Sequence, residues 1–210
     1  MKNFKEMLEY VKKALEDGNG LKSRNPHHQF RDRFMHTVRV LKWCKVIQDD
    51  LECDLDVLYT SAIFHDIGYS KSFENHNIVG AKLFMEYAKK KNFDQDFSNK
   101  VHDIILHHSE KRRLAYPDSS NELIILLEAD LLDEEGALGI AWDLMALGSM
   151  EHATYYDTMD AIKHSKHILE QDFMVTKKAR EIWNKKKMLV KLFDDEIASD
   201  LFLEDEDGLF

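Results

Sequence analysis

Four stretches of this sequence place histidine or aspartate where the helical pattern calls for apolar side chains. They are His36 in RFMHTVRV, His65 and Asp66 in AIFHDIGYS, His107 and His108 in IILHHS, and Asp130 in LLEADLL. Asp130 follows Leu127 and Leu123 at helical spacing, and His108 shares a face with Val101, Ile104 and Ile105. A carboxylate on such a face is expensive unless it is paired or bound to a cation. Taken singly, a buried histidine is most often a hydrogen-bonded core residue and a buried aspartate a salt-bridge or cap partner. Taken together, imidazoles and carboxylates without a cysteine suit an octahedral divalent ion such as Mn²⁺, Fe²⁺, Ni²⁺, Co²⁺ or Mg²⁺ better than a structural zinc.

The elements that must carry these residues read as helices throughout. Phe4, Met7, Leu8, Val11 and Leu15 mark a first amphipathic helix, stopped by DGNG. The polar connector KSRNPHHQ leads to a second helix bearing His36, Val40 and Cys44. A third is expected from about Asp54, its N-cap, to Phe64, with Gly68 as a left-handed terminator. A cation at that helix end would meet the negative end of the helix dipole. Further helices are expected over about Asn75–Lys91 and Asp94–Ser109, through ELIILLEADLL and ALGIAWDLMALG, and beyond Asp160. The last begins near Thr176 and runs to an acidic tail. No strand alternation competes, and 2 Pro and 8 Gly leave little punctuation for an all-β chain. The expectation is an all-α, single-domain bundle: residues 1–24 a helix and connector, 25–200 the domain, 201–210 the tail.

Composition narrows the partners. A formal net charge of −10 argues against a long nucleic-acid footprint, although a metal and a few basic side chains can neutralise one phosphate locally. Cys44 and Cys53 are too few for a disulfide framework and fit a reduced, cytoplasmic setting. No apolar run approaches a membrane span. Monomer and homodimer both stay open.

The order H…HD…D, realised as His36, His65-Asp66 and Asp130, resembles the HD-domain superfamily of metal-dependent phosphohydrolases. The local sequence HDIG at 65–68 is that family's commonest form. RFMHTVRV is similar to its first motif, and LLEADLLDEEGALGIA resembles the DADRLDAIGAIGIAR segment of small stand-alone bacterial HD hydrolases. TKKAREIWNKKKMLVKLFDDEI is similar to the closing helix of that subgroup, so the resemblance spans about residues 25–200. Two departures stand out: Glu128 replaces the first aspartate of DAD, and Leu131 replaces its arginine.

The resemblance implies His36, His65, Asp66 and Asp130 as ligands of one ion, with Asp66 also orienting the attacking water. His107 and His108 would assist as catalytic donors, and His76, Lys71 and Arg39 would contact substrate. One ion is expected over two, although His76 and the His107-His108 doublet resemble the extra ligands of two-metal relatives. The implied reaction is hydrolysis of a phosphoester or phosphoanhydride of a nucleotide or small phosphorylated metabolite. A di-iron oxygenase, or an inactive metal- or nucleotide-sensing module, are the alternatives.

Overall fold

The computed structural model describes residues 3–18 and 32–201; the polar connector and all of the acidic tail but Leu201 lie outside them. Among the described residues there are nine α-helices and no strand. They are α1 (Phe4–Asp17), α2 (Arg33–Ile47), α3 (Leu55–Phe64), α4 (His76–Lys90), α5 (Gln95–His107), α6 (Asn121–Glu134), α7 (Ala137–Leu147), α8 (Tyr155–Glu170) and α9 (Lys177–Asp200). Short 3₁₀ turns at Ile67–Ser70 and Lys111–Ala115 follow α3 and α5. None of the described helices is long and apolar enough to cross a membrane.

Caps set the helix starts that matter for the site. Asp32 accepts hydrogen bonds from the amides of Phe34 and Met35 and opens α2 one turn before His36. Asp54 does the same for α3 through Asp56 and Val57, as its sequence position predicts. Ser120 accepts from Leu123 N–H and opens α6. Each cap satisfies amides that the first helical turn leaves unpaired.

The core lies among α2, α3, α5 and α6, with α1 laid over α3 and α4 packed along α5. Helix α6 is buried from Leu123 to Asp133, all round, which is why its carboxylates must find partners inside. Glu128 finds one at the far end of the chain. Its carboxylate accepts from the Val175 and Thr176 amides at 2.5 and 2.9 Å and from the Thr176 hydroxyl at 2.8 Å. This pins the start of α9 against α6 and accounts structurally for a glutamate at that position.

One expectation about backbone needs correcting. Gly68 does not end α3 in a left-handed conformation; among the described residues only Asn92 and Gly136 have positive φ. Gly68 sits in the 3₁₀ turn, where a Cβ would fall 1.8 Å from the His76 carbonyl oxygen and 2.7 Å from the Gly80 amide nitrogen. Its lack of a side chain lets the turn after Asp66 lie directly on α4, at Gly80.

Candidate metal centre

Asp66 stands at the centre of the polar cluster, delivered by the end of α3 to a point where α2, α4, α5 and α6 converge. It is 2% exposed. Its Oδ2 lies 3.5 Å from Nε2 of both His36 and His65, and those two nitrogens are 3.3 Å apart. Its Oδ1 lies 3.3 Å from Nε2 of His108 and 3.9 Å from Nε2 of His76. His36, His65 and Asp66 thus form one group able to hold an ion, and Asp66, His76 and His108 form a second, with the aspartate common to both. Asp130 Oδ1 comes within 3.1 Å of His36 Nε2 on the first side.

Proton bookkeeping tells which way these rings face. The Nδ1 atoms of His65, His76 and His108 lie 2.9, 3.1 and 2.7 Å from the carbonyl oxygens of Ala62, Phe73 and Ile105. A carbonyl only accepts, so each Nδ1 carries a proton and each Nε2 is the ring nitrogen turned toward Asp66. His36 is fixed in the same sense by a carboxylate, its Nδ1 lying 2.7 Å from Asp133 Oδ2. Burial pushes the His65 imidazolium down to about 4, with the neighbouring carboxylates only partly offsetting it, so the ring is neutral near pH 7.

The carboxylates are charged in return. Burial alone would raise Asp66, but His65, Arg33 and the His108 contact outweigh it and hold the group well below the usual range. Burial likewise opposes the ionised Asp130, and Lys111 and His36 reverse the balance, so it too lies well below the usual range. Yet Asp130 Oδ1, although buried, has no hydrogen-bond donor. With Nδ1 of His36 held by Asp133, its other ring nitrogen stands 3.1 Å from this oxygen. Lone pairs of nitrogen and carboxylate oxygen crowded within 3.1–3.5 Å repel one another unless a cation lies among them. The residues therefore fit a hard or borderline divalent ion.

A cleft of about 200 Å³ opens over the cluster. Its wall includes Asp66, Asp130, and five residues that the motif pattern did not single out: Arg33, Tyr69, Ser109, Lys111 and Glu134. Arg33 donates from a guanidinium nitrogen to Asp66 Oδ2 at 3.1 Å and lies over the Tyr69 ring at 3.9 Å from its centroid. Tyr69 in turn stacks on His76 at 4.1 Å. Arg33 could have been found one helical turn before His36 on the same side of α2. Lys111 reaches Asp130 from a 3₁₀ turn, where no periodic signal marks it.

Three expected site residues lie elsewhere. Arg39 does not reach the cleft; it grips Asp133 through two bonds of 2.7 and 3.0 Å, behind His36. Lys71 is exposed just past the 3₁₀ turn and is absent from the cleft wall. His107 turns outward and pairs with Glu110 at 2.7 Å, because successive residues on a helix point about 100° apart and His108 takes the inward direction. His36, His65, Asp66, His76, His108 and Asp130 do come together.

Residues 33–135 match the HD domain family model, so the chain carries an HD domain over that stretch. In sequence it is 25% identical over 169 residues to the Bacillus subtilis protein YpgQ, covering 79% of this chain and 82% of YpgQ. In fold it is similar to a predicted HD superfamily hydrolase from an uncultured Thermotogales bacterium, with a TM-score of 0.63, 22% identity, and 94% and 92% of the two chains covered. The crystal structure of YpgQ in complex with ADP superposes with a TM-score of 0.64 at 18% identity over 99% and 100% of the two chains. At these identities the structural likeness speaks to the fold.

Proposed function

We propose that this chain is a metal-dependent phosphohydrolase acting on a nucleotide or a small phosphorylated metabolite. The observation that carries the reading is the set of four imidazoles whose Nδ1 protons are committed to carbonyls or a carboxylate, leaving four Nε2 lone pairs around one buried aspartate. His36, His65, Asp66 and Asp130 would hold the first ion. His76 and His108, with the other oxygen of Asp66, give ligands for a second, which makes two ions the better count where the sequence alone favoured one. Bound divalent ions supply a water of lowered pKa and a positive field over the phosphoryl oxygens.

The protein's own groups do the rest. Asp133, clamped by Arg39, keeps His36 in the tautomer that faces the cleft. Arg33, held flat by Tyr69, keeps one guanidinium edge on Asp66 and stands in the cleft wall where phosphoryl charge would develop. Ser109, 3.1 Å from His76 Nε2 and 3.3 Å from His108 Nε2, puts a hydroxyl on the more open side of Asp66, where it can donate to one of these two rings. The cleft is small against ordinary ligand pockets, which run to several hundred Å³, so it suits the phosphate end of a substrate with the remainder outside. The ADP complex of YpgQ supports a nucleotide as the class to test first.

A second reading survives on one observation: two ligand sets bridged by a carboxylate are also what a di-iron oxygenase needs. A panel of nucleotides and phosphoesters assayed with Mn²⁺, Ni²⁺, Co²⁺ and Mg²⁺, with phosphate and pyrophosphate resolved, tests the hydrolase. Turnover of at least one substrate, lost on chelation, is expected. Oxygen consumption by the Fe²⁺-loaded protein without any phosphoester turnover would move the assignment to the oxygenase.

A further inference from the structure

We infer that Lys111 is a tethered counter-ion of Asp130 which, once that carboxylate ligates a divalent ion, is handed to an anionic oxygen of the substrate phosphate. The inference deepens the phosphohydrolase reading and rests on it.

The two oxygens of Asp130 face different neighbours. Oδ1 lies against Nε2 of His36 and has no donor, whereas Oδ2 is paired with the Lys111 ammonium. Without that ammonium, a carboxylate buried on all sides of α6 would share the cleft wall with Asp66 and Glu134, with the His36 imidazole beside it. A buried charge left without its partner is strongly destabilising. Lys111 is thus the cation by which this chain keeps the cluster folded on its own.

The same ammonium is ill placed beside a divalent ion, since like charges a few ångströms apart in a half-buried site repel strongly. It also has somewhere to go. Its side chain is 26% exposed, against 9% for Asp130, so it stands where the carboxylate meets the open cleft. A lysine carries three donors on a flexible stem and can reorient without moving its backbone. Arg33 lacks that freedom, being tied to Asp66 and stacked on Tyr69. Glu134 lines the same wall and would repel a phosphate, so a mobile cation beside it has a further use.

The backbone that carries Lys111 is braced, which leaves the reorientation to the side chain. His107 and Arg113 both bind Glu110, at 2.7 and 3.1 Å, and Arg113 lies 3.3 Å from His107 Nε2. The Ser119 hydroxyl donates to the Arg113 carbonyl at 2.7 Å. This gives His107 a positioning role through the turn that presents Lys111.

The test compares wild type with Lys111→Met, which keeps the stem, and Lys111→Arg, which keeps the charge. It reads the melting temperature of the metal-stripped protein, Mn²⁺ affinity by calorimetry, and inorganic phosphate affinity of the Mn²⁺-loaded protein. Lys111→Met should melt about 3–10 °C lower without metal. It should bind Mn²⁺ several-fold tighter and bind phosphate roughly tenfold more weakly. Lys111→Arg should stay near wild type in all three. Asp130→Asn, combined with Lys111→Met, should recover most of the lost melting temperature. Weaker Mn²⁺ binding with unchanged phosphate affinity in Lys111→Met would overturn the inference, because Lys111 would then only hold Asp130 in place. So would three values equal to wild type. If Lys111→Met fails to fold, Lys111→Gln, which keeps a donor without the charge, gives the same readouts with the same meaning. A wild type that binds no Mn²⁺ would instead remove the phosphohydrolase reading beneath it.

Discussion

The two sides of Asp66 are built from the same parts and differ in how firmly they are held. On the Oδ2 side, His36 and His65 are both 1% exposed, and His36 is backed by Asp133 and Arg39. On the Oδ1 side, His76 has a side chain 15% exposed and is backed by a backbone carbonyl and a stacked tyrosine, with Ser109 beside it. The first side is the more firmly held, with His65 outside the cleft wall; the second is the more exposed at His76. A ligand set of the first kind is suited to keep an ion, and one of the second kind to exchange water and meet substrate. On the proposed function, the buried half is the anchor and the open half is the working face.

Paired substitutions would break this contrast first. His65→Ala should abolish the Mn²⁺-induced rise in melting temperature and lower hydrolysis by on the order of 1,000-fold, because no other ring can take that place. His76→Ala should leave most of the rise and cost roughly tenfold to a hundredfold in rate. Equal losses would mean that the two sides do not differ in role.

A smaller effect should come from behind the anchor. Arg39→Met removes the clamp on Asp133, whose charged form depends on His36 and Arg39 against the opposition of burial. We expect Mn²⁺ affinity to fall about tenfold with substrate KM little changed, whereas a direct substrate contact would raise KM at unchanged metal affinity.

The smallest effect concerns the scaffold at the end of α6. Burial pushes the Glu135 carboxyl up to about 7 from an ordinary 4.5; Glu134 and Asp143 add to this, while the Ser165 hydrogen bond of 2.5 Å and Lys186 oppose it. An acid raised in the folded state holds its proton longer there than in the unfolded chain. Its contribution to stability is therefore greatest below pH 4.5, falls as pH rises toward 7, and is flat above. The loss is of order 3 kcal/mol as an upper bound. Glu135→Gln should remove this slope, visible as wild-type minus variant stability between pH 5 and about 7; a difference independent of pH would contradict it.

Most of the scaffold was legible because its helices carry apolar stripes, several of them opened by a capping side chain. Asp54 falls where its side chain predicts, and the inward faces of α3, α5 and α6 set His65, His108 and Asp130 together. What periodicity cannot show is the second layer and the irregular turns. Arg39 and Lys71 are basic residues close in sequence to the motifs, but one serves the back of the site and the other faces solvent. Lys111 comes from a 3₁₀ turn whose side-chain directions follow no helical stripe. Its pairing also changes the physical account of Asp130: the carboxylate is not uncompensated without metal, so removing it alone would strand the lysine.

The shared aspartate is the claim on which the site stands, and counting Mn²⁺ ions per chain by calorimetry tests it most directly. Wild type should bind two, one tightly and one weakly; His76→Ala should keep only the tight one; Asp66→Asn should lose both. Retention of wild-type binding by Asp66→Asn would contradict the account, since an ion held without Asp66 could not lie where these four histidines point.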